Sequence, residues 1–218
     1  MTGHQAEILR SIRTRICLAP PTEEMTLTET ALAREFGVSR TPIRQILQLL
    51  ANAQLVETHT GVGTTSVVLD PNERSAHFAA YSLIAAAAAQ LAEGQAVPRA
   101  TTLELMAVNN MLMLEETPSV PVFVEMNGRV IDAMALTIRD PILCFAMQAA
   151  HWRTLRWRVD QAGNDTDALW SSIEANLNRA IAAARTGNCR HLLETASGLG
   201  AQYVDKSRVY AGLPGLPD

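Results

Sequence analysis

Apolar residues recur at helical spacing from the start of the chain. Ile8, Leu9, Ile12 and Ile16 fall on one side of a helix predicted over His4 to Leu18. Ala31, Leu32 and Phe36 form a second, shorter stripe, with Thr28 placed to cap its start and Gly37 where a helix ends on a left-handed residue. Ser39 then caps a third helix, and Pro42 sits in its first turn, where a missing N–H costs little because that donor has no intrahelical acceptor. Ile43, Ile46, Leu47 and Leu50 follow the i, i+3, i+4, i+7 rule and define its buried face, while Arg40, Thr41, Arg44, Gln45 and Gln48 cluster on the other side. Leu55 to His59 and Thr64 to Leu69, rich in Val and Thr, flank Thr60-Gly61-Val62-Gly63 as a hairpin. The layout of Leu27 to Val67 is that of a winged helix-turn-helix.

Pro71 interrupts the pattern, and Asp70 or Asn72 can cap the next helix, which puts a boundary between residues 1–70 and 71–218. Beyond it no strand pattern stands out. Helices are predicted at about 72–95, 101–116, 119–138, 140–161, 165–186 and 188–209, separated by Gly94 to Arg99, Thr117-Pro118, Asp140-Pro141, Gly163-Asn164 and Gly187-Asn188. Six helices with short connections make an antiparallel bundle, so the expected fold is mainly α: a winged helix-turn-helix, then an all-α six-helix bundle.

The polar face of the third helix carries the first functional implication. In a helix-turn-helix the second helix of the motif enters the major groove with its N-terminal residues nearest the base edges, where Arg suits guanine and Gln suits adenine. Arg40, Thr41, Arg44 and Gln45 occupy those turns. Winged helices also serve as protein-interaction modules, but two guanidiniums and a hydroxyl at a helix start favour double-stranded DNA.

Composition qualifies this picture. Residues 1–70 hold six Arg, no Lys and seven acids, and the chain is at −4 overall, so binding cannot rest on bulk positive charge and must come from a few placed arginines. Nearly half of the 218 residues are hydrophobic, enough for a substantial core in two domains. Cys17, Cys144 and Cys189 have neither Cys-x-x-Cys nor zinc-finger spacing and read as buried free thiols in a reducing cytoplasm, with redox sensing the alternative use. The start has no basic-then-apolar signal sequence, and the apolar run Leu83 to Ala92 is far shorter than a membrane span, which makes the expected location cytoplasmic.

The run from Leu32 to Arg44, Leu-Ala-Arg-Glu-Phe-Gly-Val-Ser-Arg-Thr-Pro-Ile-Arg, with Leu47, Leu50 and Leu55-Val56 after it, resembles the N-terminal domain of GntR-family transcriptional regulators. The resemblance implies DNA contacts from Arg40, Thr41 and Arg44, with Gly61 at the wing tip over the minor groove; Arg34, Ser39 and Gln45, around the same helix start, complete the set of candidate DNA-binding residues. The chain departs from the family at Gln45-Ile46, where Glu-Ala is usual, and at Val62, where some relatives have a basic residue.

The helical remainder resembles the FCD effector domain of the FadR-like subfamily, anchored on Arg139-Asp140-Pro141-Ile142-Leu143 and Arg185-Thr186-Gly187-Asn188. Most such domains hold a divalent metal through Asp-x-x-x-His and two further His beneath a pocket for a small carboxylate. Counting from the anchors puts Asn127, Ile131, Leu177 and Leu199 at those positions, and a two-residue shift gives Glu125 and Arg129, so no metal and no other cofactor is expected. His4, His59, His77, His151 and His191 read as solvated or singly bonded histidines, a metal shared by His77, His151 and His191 being the alternative. Tyr81 and Ala85 replace a family Arg and Glu. Two explanations stand: a changed effector, larger or less acidic, contacting Tyr81, Asn127 and neighbours such as Met126 or Trp152, or a domain kept only for dimerisation.

Other features read as structural. Ala85 to Ala89 allows close helix approach, Met106, Met111 and Met113 fill a core or pocket, and Trp152 to Arg158, whose Trp residues split across two faces, points to a dimer or domain interface rather than nucleic acid. No Gly-rich phosphate loop, Gly-x-Ser-x-Gly or metal-hydrolase His pair occurs, so an enzyme is not expected. The expected function is a homodimeric, sequence-specific transcriptional regulator, more often a repressor in this family, reading a palindromic operator under control of an unidentified small-molecule effector. The alternatives are a ligand-binding or protein-interaction module with a merely structural winged helix, and a metal-dependent carboxylate sensor with displaced ligands.

Overall fold

The computed structural model describes residues 3–59, 63–163 and 165–204. Helix α1 (Gly3–Leu18) buries Ile8, Ile12 and Ile16, leads into strand β1 (Thr26–Leu27), and is followed by α2 (Glu29–Glu35) and α3 (Arg40–Asn52). The local signals act as their chemistry requires. The Thr28 hydroxyl accepts from the Ala31 N–H at 3.3 Å, and Gly37 turns the chain at φ +64°, a left-handed conformation that only glycine adopts cheaply. Ser39 has the extended backbone of a cap without a side-chain hydrogen bond to the helix. Ile43, Ile46, Leu47 and Leu50 are the buried residues of α3.

Strands β2 (Val56–His59) and β3 (Gly63–Ser66) form the hairpin, and β1 adds to it in an antiparallel sheet of order β1-β3-β2. Thr26 faces Thr65 and Leu27 faces Thr64, while Val56, Glu57, Thr58 and His59 face Ser66, Thr65, Thr64 and Gly63. The two-residue β1 is not among the elements predicted from periodicity because so short a segment carries no alternation. It is fixed from outside, the Ser66 N–H donating to the Met25 carbonyl and the Met25 N–H to Ser66 Oγ.

A turn of 3₁₀ helix at Pro71–Glu73, capped by Asp70, opens six helices: α4 (Arg74–Leu91), α5 (Arg99–Leu114), α6 (Val120–Ala135), α7 (Pro141–Ala162), α8 (Thr166–Arg185) and α9 (Cys189–Ala201). The protein is a winged helix-turn-helix followed by an all-α antiparallel bundle, as the hydrophobic periodicity predicts. The predicted last helix ends earlier, at Ala201, and its residues 205–209 lie outside the described residues. Asp140 caps α7 through the Leu143 N–H with Pro141 in the first turn, and Asp165 and Asn188 cap α8 and α9 with their side chains in the same way. The alanine-rich stretch of α4 serves close packing: Ala85, Ala88 and Ala89 are buried, the Ser82 hydroxyl donates to the Ser197 carbonyl of α9, and a Cβ on Gly200 would lie 3.0 Å from the Ser82 backbone.

The buried apolar side chains run without interruption from α1 and α3 into the bundle. Helix α7 is central to it, with Met147, Trp152, Leu155 and Trp157 each nearly inaccessible to solvent. Met106 and Met113 are exposed, so the expectation that they fill core or pocket is corrected: the faces of α5 that carry them have no helix packed against them among the described residues. Among the described residues no helix is long and apolar enough to cross a membrane.

Candidate nucleic-acid interface

Helices α2 and α3 pack on each other and α3 packs on α1, which fixes α3 with its Ile43–Leu50 face inward and its other face to solvent. Arg34, Ser39, Arg40, Thr41, Arg44 and Gln45 are all exposed. The turn between the two helices thus brings the donor groups of the motif onto one open surface at the start of α3. Gly61, with Thr60 and Val62, lies outside the described residues.

One acid organises this surface. The Glu29 carboxylate, in the first turn of α2, accepts from Arg40 Nε at 3.3 Å and Nη2 at 3.1 Å, and from Arg44 Nε at 2.8 Å and Nη2 at 2.9 Å. Both arginine side chains remain more than 60% exposed. The hydrogen bonds from Arg44, and then from Arg40, outweigh the effect of burial and hold the Glu29 carboxyl down at about 2. Sequence reasoning missed Glu29 because the pairing spans the turn, eleven and fifteen residues from its partners.

The basic aromatic run of α7 joins the winged region to the bundle. The Arg13 guanidinium of α1 stacks over the Trp152 ring at 4.1 Å, and Gly128 of α6 lies so close that a Cβ there would sit 2.6 Å from Arg13 Nη2 and 2.9 Å from the Trp152 ring. Arg156, 1% exposed, donates to the carbonyls of Val67 at 2.6 Å and Pro21 at 3.4 Å, tying α7 to the end of the wing strand and to the segment after α1. Trp157 packs with Leu69 and Phe78 and donates its indole N–H to His77 Nδ1 at 3.0 Å. Between the two readings of this run, interface and nucleic acid, the geometry is that of an interface within one chain.

Inside the bundle a cavity of about 40 Å³ is lined by Tyr81, Asn127, Ile131, His151, Leu177 and Leu199, with further aliphatic neighbours. The four positions where the FCD resemblance would place metal ligands, Asn127, Ile131, Leu177 and Leu199, thus all line this cavity. They do not fit a metal. Three are hydrocarbons, and the Asn127 amide is engaged, Nδ2 donating to the Phe123 carbonyl at 2.8 Å and Oδ1 accepting from Arg158 Nη1 at 3.3 Å. Among the described residues no group of three His, Cys, Asp or Glu is placed to hold an ion, and His77, His151 and His191 do not converge: His77 meets Trp157, and His191 lies beside Thr186.

Of the candidate effector residues, Tyr81 and Asn127 line this cavity and Trp152 does not. It follows His151 on α7, so its side chain leaves the helix about 100° away and lies under Arg13 instead. His151 takes the place on the cavity wall, with Nε2 buried and unpaired. Burial, with the positive charges of Arg158 and Arg13 adding to it, pulls this imidazole down to about 3, so it is neutral near pH 7. A lone histidine has no sequence signature for such a position. The three cysteines are free thiols; Cys17 and Cys189 are buried, but Cys144 is half-buried rather than buried. Burial raises all three, Cys17 to about 12, which keeps them as poorly reactive thiols.

Comparison with known families decides what the exposed face of α3 belongs to: residues 4–65 match the model described as bacterial regulatory proteins, gntR family. Residues 4–65 are a GntR-family domain. Residues 4–65 therefore carry the DNA-binding domain of a transcription-regulator family. The chain has a fold similar to E. coli McbR/YncC, with a TM-score of 0.60 at 16% identity over 93% of this chain and 95% of that one. A GntR family member from Pseudomonas syringae pv. tomato aligns at a TM-score of 0.45 and 17% identity over 91% of this chain and 84% of the other. No curated protein matches the chain.

Proposed function

We propose that the chain is a cytoplasmic, homodimeric repressor that reads a palindromic operator with α3 and is modulated by a small-molecule effector in an FCD-like bundle. The observation that carries the first part is the open face at the start of α3, where Arg40, Thr41, Arg44 and Gln45 are exposed together while the opposite face is fully buried. Arg34 and Ser39 flank this face. Division of labour runs along the chain: residues 1–70 bind DNA, and residues 71–218 dimerise and sense. Two-fold symmetry of the dimer then sets the half-site spacing.

The cavity supports the effector part. Its wall is apolar except for the Tyr81 hydroxyl, the engaged Asn127 amide, the neutral His151 and the short polar side chains of Asn176 and Thr195, which favours an uncharged ligand: among the described residues no acid or free cation lines it to pair with a carboxylate. At about 40 Å³ it holds little more than a water molecule, so an effector of ordinary size enters only as α6, α7 and α9 part. Both α6 and α7 carry the Arg13 contact on the residue next to a cavity residue, Gly128 after Asn127 and Trp152 after His151. Parting them changes the seat of α1, and hence the angle of the winged domain.

Selection from a random duplex pool tests the assignment. Wild-type protein enriches a palindrome and the Arg40→Ala/Arg44→Ala double variant does not. Enrichment of the same palindrome by both proteins would take these arginines out of recognition, and no enrichment by either at low salt would leave the winged helix as structural.

A further inference from the structure

We propose that Glu29 is a specificity-determining positioning residue: its carboxylate holds the Arg40 and Arg44 guanidiniums by their Nε/Nη2 edges and so presents the remaining Nη1/Nη2 edge of each to the base edges of the major groove. This assignment rests on α3 being the DNA-reading helix.

The geometry is specific about which edge is used. All four hydrogen bonds to Glu29 come from Nε or Nη2, and none from Nη1 of either arginine. A guanidinium has five N–H donors in a fixed plane, so fixing one edge orients the other without consuming it. The free Nη1/Nη2 fork is the one that matches guanine O6 and N7. An arginine on an exposed helix is otherwise a long flexible chain, and freezing it at the moment of binding costs affinity. Glu29 arranges that ordering beforehand for two side chains at once.

The same carboxylate acts against the wrong partner. Non-specific binding depends on guanidiniums turning to phosphate oxygens, and here each must leave Glu29 or bring its negative charge toward the phosphates. Glu29 is itself well placed to stay: its side chain is only 23% exposed and it lies in the first turn of α2, where the helix N-terminus favours a negative charge. The winged region, with six Arg against seven acids in residues 1–70, has no surplus of positive charge to compensate, so discrimination falls on orientation.

The experiment measures affinity for the selected operator and for a scrambled duplex of equal length, across a salt series, with wild type, Glu29→Gln and Glu29→Asp, each checked for an unchanged thermal unfolding midpoint. Glu29→Gln is expected to bind scrambled DNA more tightly and the operator more weakly, lowering the specificity ratio about tenfold or more, with the salt slope on scrambled DNA steeper by about one. Glu29→Asp keeps the charge but is one methylene short of both guanidiniums; it is expected to lose the ratio while keeping the wild-type salt slope. A wild-type ratio in Glu29→Gln overturns the assignment. So does a wild-type ratio in Glu29→Asp, which would leave charge alone at work, and so does an equal loss on both duplexes with a lowered midpoint, the signature of a structural role. A wild-type protein that selects no operator is a different failure: it removes α3 as the reading helix, and Glu29 with it.

Discussion

Replacing His151 with Phe should flatten the acid side of the stability curve. The imidazole titrates near 6.5 in the unfolded chain and at about 3 in the fold, because burial and the nearby Arg158 and Arg13 disfavour its charged form. Between those values the unfolded state binds a proton that the native state refuses, so stability is fully present above the unfolded pKa and falls as pH drops below it. The slope is about 1.4 kcal/mol per pH unit, which from about pH 7.5 to about pH 5 amounts to roughly 2 kcal/mol. Phenylalanine has no proton to refuse. It keeps an aromatic ring beside Tyr81 and Trp152, whose centroids lie 6.0 and 5.5 Å from that of His151, and removes an unpaired buried nitrogen, so the variant should match or exceed wild type at neutral pH. Urea unfolding followed by tryptophan fluorescence at several pH values reads the difference directly. Titrations elsewhere, such as that of buried His77, are common to both proteins and cancel. Parallel curves for wild type and variant would refute the reasoning, since they would mean that His151 protonates in place.

Three other perturbations probe the joints and the DNA face. Arg156→Met removes a buried cation together with its bonds to Val67 and Pro21; the stranded carbonyls should cost about 2 to 4 kcal/mol in chemical denaturation, and an unchanged midpoint would show that water serves them equally well. Gly128→Ala drives a methyl into Arg13 and the Trp152 ring; the flexible Arg can give but the packed indole cannot, so a net loss of about 1 to 2 kcal/mol is expected after the gain in helix propensity, and a stabilised protein would contradict the packing. Arg40→Ala should weaken operator binding by about 1 to 3 kcal/mol while leaving the unfolding midpoint in place, measured by fluorescence anisotropy, and an unaltered affinity would remove it from base contact.

Local chemistry determines the features that are legible in the sequence. Thr28 and Gly37 set the ends of α2 through a cap hydrogen bond and a left-handed backbone, and Asp70, Asp140 and Asn188 cap helices of the bundle within a few residues, so element order and the exposed face of α3 come from spacing alone. Counting from two turns in the bundle also gathers Asn127, Ile131, Leu177 and Leu199, which line one cavity although they lie on three helices. Relations between elements are not legible in this way. Glu29 holds arginines across a turn, Arg13 of α1 meets Trp152 of α7, and Arg156 finds carbonyls 89 and 135 residues away. His151 lines the cavity and Trp152 does not, because one residue along a helix moves a side chain to a different face.

The most direct measurement of base reading by α3 is binding to the selected operator with 7-deazaguanine placed at each enriched guanine in turn. This change removes the N7 acceptor and leaves the phosphates as they are. Wild type is expected to lose affinity at one or two positions of each half-site, and Arg40→Ala or Arg44→Ala should be insensitive at the position that its arginine reads. Equal tolerance of the modified base at every position, by wild type and variants alike, would contradict the account.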